Sequence, residues 1–129
     1  MSFKIEKFGV YFVDLPRQEV TVKGNGRIST VVGNETYGAH PCAVVATDEF
    51  GQYGVVVPMT SAKDARGGEK YRDIPKTWVR VQHKGHAAYL LTEQLRYACR
   101  ERFINPLTPL DEYDKNQLES RVKFLFGIV

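Results

Sequence analysis

The sequence is poor in the features that most readily betray a function. It has only two cysteines, Cys42 and Cys99, with no CxxC spacing. That excludes a disulfide framework and a thiolate metal cage, and it leaves two free, buried thiols as the expectation. It has three histidines. Two of them, His83 and His86, flank Lys84-Gly85 and read as solvated loop residues, and no further ligand follows at zinc-binding spacing. No metal and no cofactor is therefore expected. No apolar run approaches the roughly 20 residues that span a bilayer, so no membrane association is expected. The opening stretch MSFKIEKFGVYFVDLP has no small-residue cleavage site behind a long apolar region, which argues for a cytoplasmic protein. Gly67-Gly68 is not embedded in GxxxxGK[ST] and reads as a loop rather than a phosphate cradle. Charge is nearly balanced, with 18 basic against 15 acidic residues. The excess of +3 permits an anionic partner such as RNA without demanding one.

What is present suits one compact domain over residues 1–129, because 43% hydrophobic residues are enough to build a core. Gly9–Leu15 is β-branched and aromatic and predicts a first strand, ended by Pro16. Within the glycine-rich stretch 17–39, residues 19–22 and 28–32 suit a short hairpin around Lys23-Gly24-Asn25-Gly26-Arg27, a mobile loop being the alternative. Strands follow at Cys42–Thr47, Gly54–Thr60, Thr77–Val81 and Gly85–Leu91. Ser61–Gly68 is small, charged and glycine-rich, hence exposed and mobile. Glu93–Arg102 reads as one or two helical turns with Arg96, Arg100 and Arg102 on a wet face. Thr108-Pro109-Leu110-Asp111 reads as a helix start, with a cap, a proline in the first turn and acids at the positive dipole end. Leu118, Val122, Leu125 and Phe126 then form one apolar helical face. Trp78 and Tyr89 are expected in the core. Short strands followed by a terminal helix predict a mainly β (α+β) fold: a small barrel or curved antiparallel sheet with a C-terminal helix.

One short stretch, Gly38-Ala39-His40-Pro41-Cys42-Ala43-Val44-Val45-Ala46, places a histidine where a strand enters the core. His40 is either a polar residue at a strand edge or a titratable group at the mouth of a site. Thr60-Ser61 closes another buried strand, a common way to begin a turn.

Four segments, in order, resemble the MazF/PemK (Kid) family of toxin ribonucleases. They are Gly9-Val10-Tyr11-Phe12-Val13-Asp14-Leu15, Glu35-Thr36-Tyr37-Gly38-Ala39-His40-Pro41, Val57-Pro58-Met59-Thr60-Ser61 and Leu90-Leu91-Thr92-Glu93-Gln94-Leu95-Arg96. The family patterns are G-x-V-[YW]-x-V-D-L, E-x-x-G-x-R-P, V-x-P-[LM]-T-S and L-x-E-Q-[IL]-R. The resemblance covers most of the chain, but residues 17–34 and 62–87 are longer than the family's usual connections. It implies an SH3-like barrel, usually a homodimer. It implies an endoribonuclease that cuts single-stranded RNA, often mRNA, without a metal, and an antitoxin protein as partner. It also implies site residues. Thr60 matches one main catalytic position and Ser61 follows it, whereas His40 stands where the family carries its catalytic arginine. Glu93 and Gln94 match positions near the RNA groove, where acid and amide groups can read base edges.

Metal-independent RNA cutting uses the RNA's own 2′-hydroxyl as nucleophile. A base must take its proton, an acid must protonate the leaving 5′-oxygen, and donors must meet the charge building on phosphate. Arginine gives a permanent charge and a two-pronged fork, whereas histidine near neutrality serves as base, acid or part-time cation. With His40 transferring protons and Thr60 donating its hydroxyl, the phosphate needs another cation. Candidates are Arg17, Lys23, Arg27, Lys63, Arg66 and Arg80, all in or beside loops. The changed arginine equally suits a second reading, a barrel that has lost cutting and binds RNA or a protein through the same groove. An unrelated small barrel adaptor is the third.

Overall fold

A computed structural model describes residues 3–16, 20–21, 28–29 and 37–127. Among these residues, nine strands and one α-helix run in the order β1 (Val10–Leu15), β2 (Val20–Thr21), β3 (Ile28–Ser29), β4 (Gly38–Thr47), β5 (Tyr53–Ser61), β6 (Val79–His83), β7 (His86–Leu90), β8 (Arg96–Cys99), β9 (Phe103–Leu107) and α1 (Glu112–Leu125). The fold is mainly β with a C-terminal helix, as the sequence predicts. Seven strands form one antiparallel sheet in the order β6-β7-β5-β4-β1-β9, with β8 also on β5. The sheet curves but does not close into a full barrel, because β6 and β9 do not pair among the described residues. The expected hairpin in the glycine-rich stretch forms as Val20↔Ser29 and Thr21↔Ile28; residues 17–19, 22–27 and 30–36 lie outside the described residues, and Gly38 and Ala39 open β4.

β5 organises the molecule. One side pairs with β4 throughout Gly54–Pro58, and the other divides between β8 at residues 53–56 and β7 at residues 59–61. Pro58 sits at the changeover. It has no N–H to give a ladder, and its carbonyl accepts from the Leu91 amide at 2.9 Å. Gly54 is required by close approach: a Cβ there would lie 2.9 Å from the Phe103 ring.

Alternation along the strands gives two cores, one on each face. Tyr11, Val13, Leu15, Cys42, Val44, Val56 and Phe103 bury one face with Ile5. Val10, Ala43, Val57, Met59, Val81, Leu90 and Leu118 bury the other, under α1. Each such aliphatic side chain contributes about 1.5–3 kcal/mol by burial. A third cluster of Tyr89, Leu91 and Ala62 is covered by Tyr71 and Trp78 from the connection after β5.

Three expectations need correction. Glu93–Arg102 is not helical: it holds a 3-10 turn at Thr92–Gln94, strand β8, and a second 3-10 turn at Arg100–Arg102. Arg, Glu and Gln favour helix locally, but pairing of Arg96–Cys99 with β5 overrides that preference and buries Ala98. Helix α1 starts later than predicted. Asp111 is its cap, accepting from the Asp114 amide at 2.8 Å, and Pro109 lies before the helix rather than in its first turn. Ser61–Gly68 is exposed apart from fully buried Ala62, but it is a hydrogen-bonded turn. The Asp64 amide donates to the Gly68 carbonyl at 2.8 Å, and Asp64 Oδ1 accepts from the amides of Arg66 and Gly68.

Candidate active site

The β4–β5 ladder ends at Cys42↔Pro58. Continuing that register sets His40 across from Thr60, on the same face, since 42 and 58 sum to the same number as 40 and 60. Beyond this point β4 pairs with β1, where His40 faces Val13, and β5 pairs with β7, where Thr60 faces Tyr89. The strands part, and an open cleft of about 450 Å³ lies in the split. His40, Thr60 and Ser61 all line it, with Phe12, Pro41 and Met59 as its apolar wall. His40 is half-buried, neither sealed in the core nor free in solvent.

The opposite wall comes from the β6–β7 hairpin, and here the sequence reading of His83 and His86 changes. Lys84 (φ 54°) and Gly85 (φ 77°) are both left-handed, which makes a two-residue hairpin turn. His83 and His86 are therefore direct cross-strand partners, continuing the rows Val81↔Ala88 and Val79↔Leu90. Both line the cleft. His86 is exposed, but His83 is only 9% exposed. The His83 Nε2 lies 2.8 Å from the Thr108 carbonyl. A carbonyl only accepts, so Nε2 carries the proton. The signal was available: a two-residue turn puts its flanking residues on one face of the sheet.

The hydroxyls differ in use. Thr60 Oγ1 is 3.2 Å from Tyr71 Oη. Ser61 Oγ donates to the Lys63 carbonyl at 2.9 Å and accepts from the Lys63 amide at 3.3 Å, so it is engaged in building the turn. Cys42, two residues from His40, is not a nucleophile: burial pushes its thiol up to about 12, and its Sγ contacts the His40 carbonyl at 3.5 Å.

Among the expected RNA-contacting residues, Arg17, Lys23 and Arg27 lie outside the described residues. Lys63, Arg66 and Arg80 do not line the cleft. Lys63 and Arg80 both pair with Glu69, at 3.5 and 2.9 Å, and Arg80 also donates to Tyr89 Oη at 2.9 Å. Arg66 is exposed on the turn. Glu93 is held by Trp78 Nε1 at 2.7 Å and Thr77 Oγ1 at 3.1 Å. Gln94 Oε1 accepts from Arg96 at 3.3 Å. Sequence reasoning missed Lys70, Tyr71 and Lys84. Lys70 and Lys84 are the lysines that line the cleft, and Tyr71 reaches Thr60. Among the described residues, no three His, Cys, Asp or Glu side chains gather as a metal site would require.

An open, bent antiparallel sheet with a terminal helix, and a largely apolar cleft that His40 and Thr60 both line where two strands part, defines a small β domain with one candidate site between β4 and β5. The sequence model of the family described as PemK-like, MazF-like toxin of type II toxin–antitoxin system matches residues 6–126, and this chain belongs to that family. Solved structures share the fold. An endoribonuclease in complex with its cognate antitoxin, from a mycobacterial species, superposes with a TM-score of 0.64 at 16% identity, covering 95% of each chain. An endoribonuclease from a mycobacterial species gives 0.64 at 14% identity, covering 98% of this chain and 94% of that one. The Mycobacterium tuberculosis toxin MazF-mt6 gives 0.60 at 12%, covering 94% and 98%. No curated protein matches the chain.

Proposed function

We propose that this chain is an endoribonuclease toxin that cuts single-stranded RNA, mRNA included, without a metal, and that an antitoxin protein restrains it. The observation that carries the reading is the meeting of His40 and Thr60 in one open cleft at the parting of β4 and β5. The similar structures include an endoribonuclease held by its antitoxin, which supports both the activity and the partner.

The chemistry follows from those two side chains. The 2′-oxygen attacks phosphorus, the P–O5′ bond breaks, and a cyclic phosphate and a 5′-hydroxyl result. The His40 ring takes the 2′ proton or supplies one to the 5′-oxygen. The Thr60 hydroxyl donates to a phosphate oxygen as charge builds there. An extended antitoxin segment in the same cleft would exclude RNA by occupying it. Function as a cytoplasmic homodimer completes the reading.

The test is incubation of the purified protein with a long RNA in excess EDTA, with 5′ ends mapped. Discrete new 5′-hydroxyl ends are expected. Thr60→Ala should cut about tenfold to a thousandfold more slowly, the range for loss of one transition-state donor. Intact RNA at high protein concentration would sink the nuclease reading. Tight RNA binding in its place would favour a binding module that has lost cutting along with the family's arginine.

A further inference from the structure

The cleft holds an imidazole at position 40 where the resembling family carries a guanidinium, and phosphate chemistry is served best by a permanent charge. We propose that Lys70, on the connection between β5 and β6, is the phosphate-binding cation of the cleft, and that Tyr71 docks that connection onto the Thr60 hydroxyl. This rests on the ribonuclease reading above.

Of the basic residues that looked suitable in the sequence, Lys63 and Arg80 are committed elsewhere. Glu69 draws Lys63 and Arg80 to one carboxylate, and Arg80 is further tied to Tyr89. Among the described residues, two lysines line the cleft, Lys70 and Lys84. Both are exposed, and Lys84 sits at the tip of a turn. Lys70 is better placed, because its main chain is fixed against the end of β5. Its amide donates to the carbonyl of buried Ala62 at 2.9 Å, one residue past Ser61. The bridge Lys63↔Glu69 and the Asp64 turn close the same loop. Lys70 forms no ion pair among the described residues, so no carboxylate there neutralises its charge.

Tyr71 supplies the second link. Its ring packs edge-on against Trp78 at 5.0 Å and Tyr89 at 6.1 Å, which fixes where its hydroxyl points. That hydroxyl lies 3.2 Å from Thr60 Oγ1, and the Lys70 ammonium lies 5.5 Å from the centre of the same ring. Consecutive residues thus hold an ammonium and the threonine hydroxyl in one arrangement. The length of this connection, unusual for the resembling family, acquires a purpose.

The experiment measures cutting of an RNA oligonucleotide and binding of its uncleavable 2′-O-methyl counterpart. Lys70→Ala should cut at least about tenfold more slowly, while Lys70→Arg keeps most of the rate. In a His40→Arg background, where a guanidinium supplies the charge, Lys70→Ala should lose less than about threefold, because the two cations then overlap in role. Equal losses in both backgrounds, or none in the parent, would overturn the assignment. Tyr71→Phe keeps the ring and removes the hydroxyl. It should lower kcat with KM unchanged and add nothing to Thr60→Ala; an unchanged kcat would remove the docking role. If the parent protein cuts nothing, the ribonuclease reading fails and the binding arm judges Lys70. Loss of about one unit from the salt slope of binding in Lys70→Ala supports it, and an unchanged slope overturns it.

Discussion

On the proposed reading, His40 is the side chain through which cutting answers to pH. Guanidinium holds its charge across the neutral range, and imidazole does not. Cutting in which His40 moves a proton should therefore bend with pH, where a guanidinium would leave it flat. A rate that falls toward acid marks the ring as base, and one that falls toward alkali marks it as acid or cationic donor. His40→Ala should lose both rate and bend, and His40→Arg should regain some rate with a flatter profile. His86→Ala and His83→Gln are the controls, the second keeping an N–H for the Thr108 carbonyl. Both should retain the bend. If the His40→Ala rate profile superposes on the parent's, the proton chemistry lies elsewhere. His40 and Thr60 were legible as candidates because their flanking residues follow ordered motifs. Tyr71 and Lys70 were not, since a contact made by a connection folding back has no local periodicity to announce it.

Among the elements, those with β-branched runs were readable and those without were not. Val10–Leu15 and Val55–Val57 declare strands through residues that suit a pleated surface. β8 and β9 were hidden, the first by helix-favouring Arg and Gln, the second by Pro106 in an edge strand. The start of α1 was misplaced by three residues because Thr108 and Asp111 are both plausible caps. The Thr108 carbonyl serves His83, and the Asp111 carboxylate serves the helix. This junction also yields a prediction. Asp114, 4% exposed, accepts from the Gln82 amide at 3.2 Å. Burial raises its carboxyl above the ordinary 3.8, with the Gln82 bond opposing and nearby Asp111 adding. A native pKa above the unfolded one means the native state binds more protons between the two values. Stability from this group therefore falls as pH rises through that window and returns on acidification. Asp114→Asn keeps an acceptor and removes the titration. Thermal unfolding should show the parent gaining on Asp114→Asn as pH drops from neutral toward about 4. A difference that stays constant with pH would refute the account.

At the level of the whole molecule, the surface carries more aromatic area than scattered exposure explains. Phe124 and Phe126, at 62% and 60% exposed, end the helix together, and Tyr113 stands exposed nearer its start. Pairing of two copies would cover such a surface, and a homodimer is the expected state. Sedimentation should give twice 14.7 kDa, and Phe124→Ser with Phe126→Ser should shift the mass toward 14.7 kDa. A parent mass that stays at 14.7 kDa at high concentration would rule the dimer out.

The three-way pairing of β5 also sets where the chain tolerates changes of length. Side chains alternate along a strand, so one residue inserted between Val57 and Met59 would turn every later side chain to the opposite face. Thr60 would leave His40, Met59 would leave the apolar wall, and the register with β7 would slip at Leu90. The connection after Ser61 is held at Lys63, Asp64, Glu69, Lys70 and Tyr71, and the exposed residues between those anchors are under no such alternation. Lineages of this domain should therefore differ by insertion and deletion around residues 64–68 and 72–76, and β5 should keep its nine residues whatever else drifts.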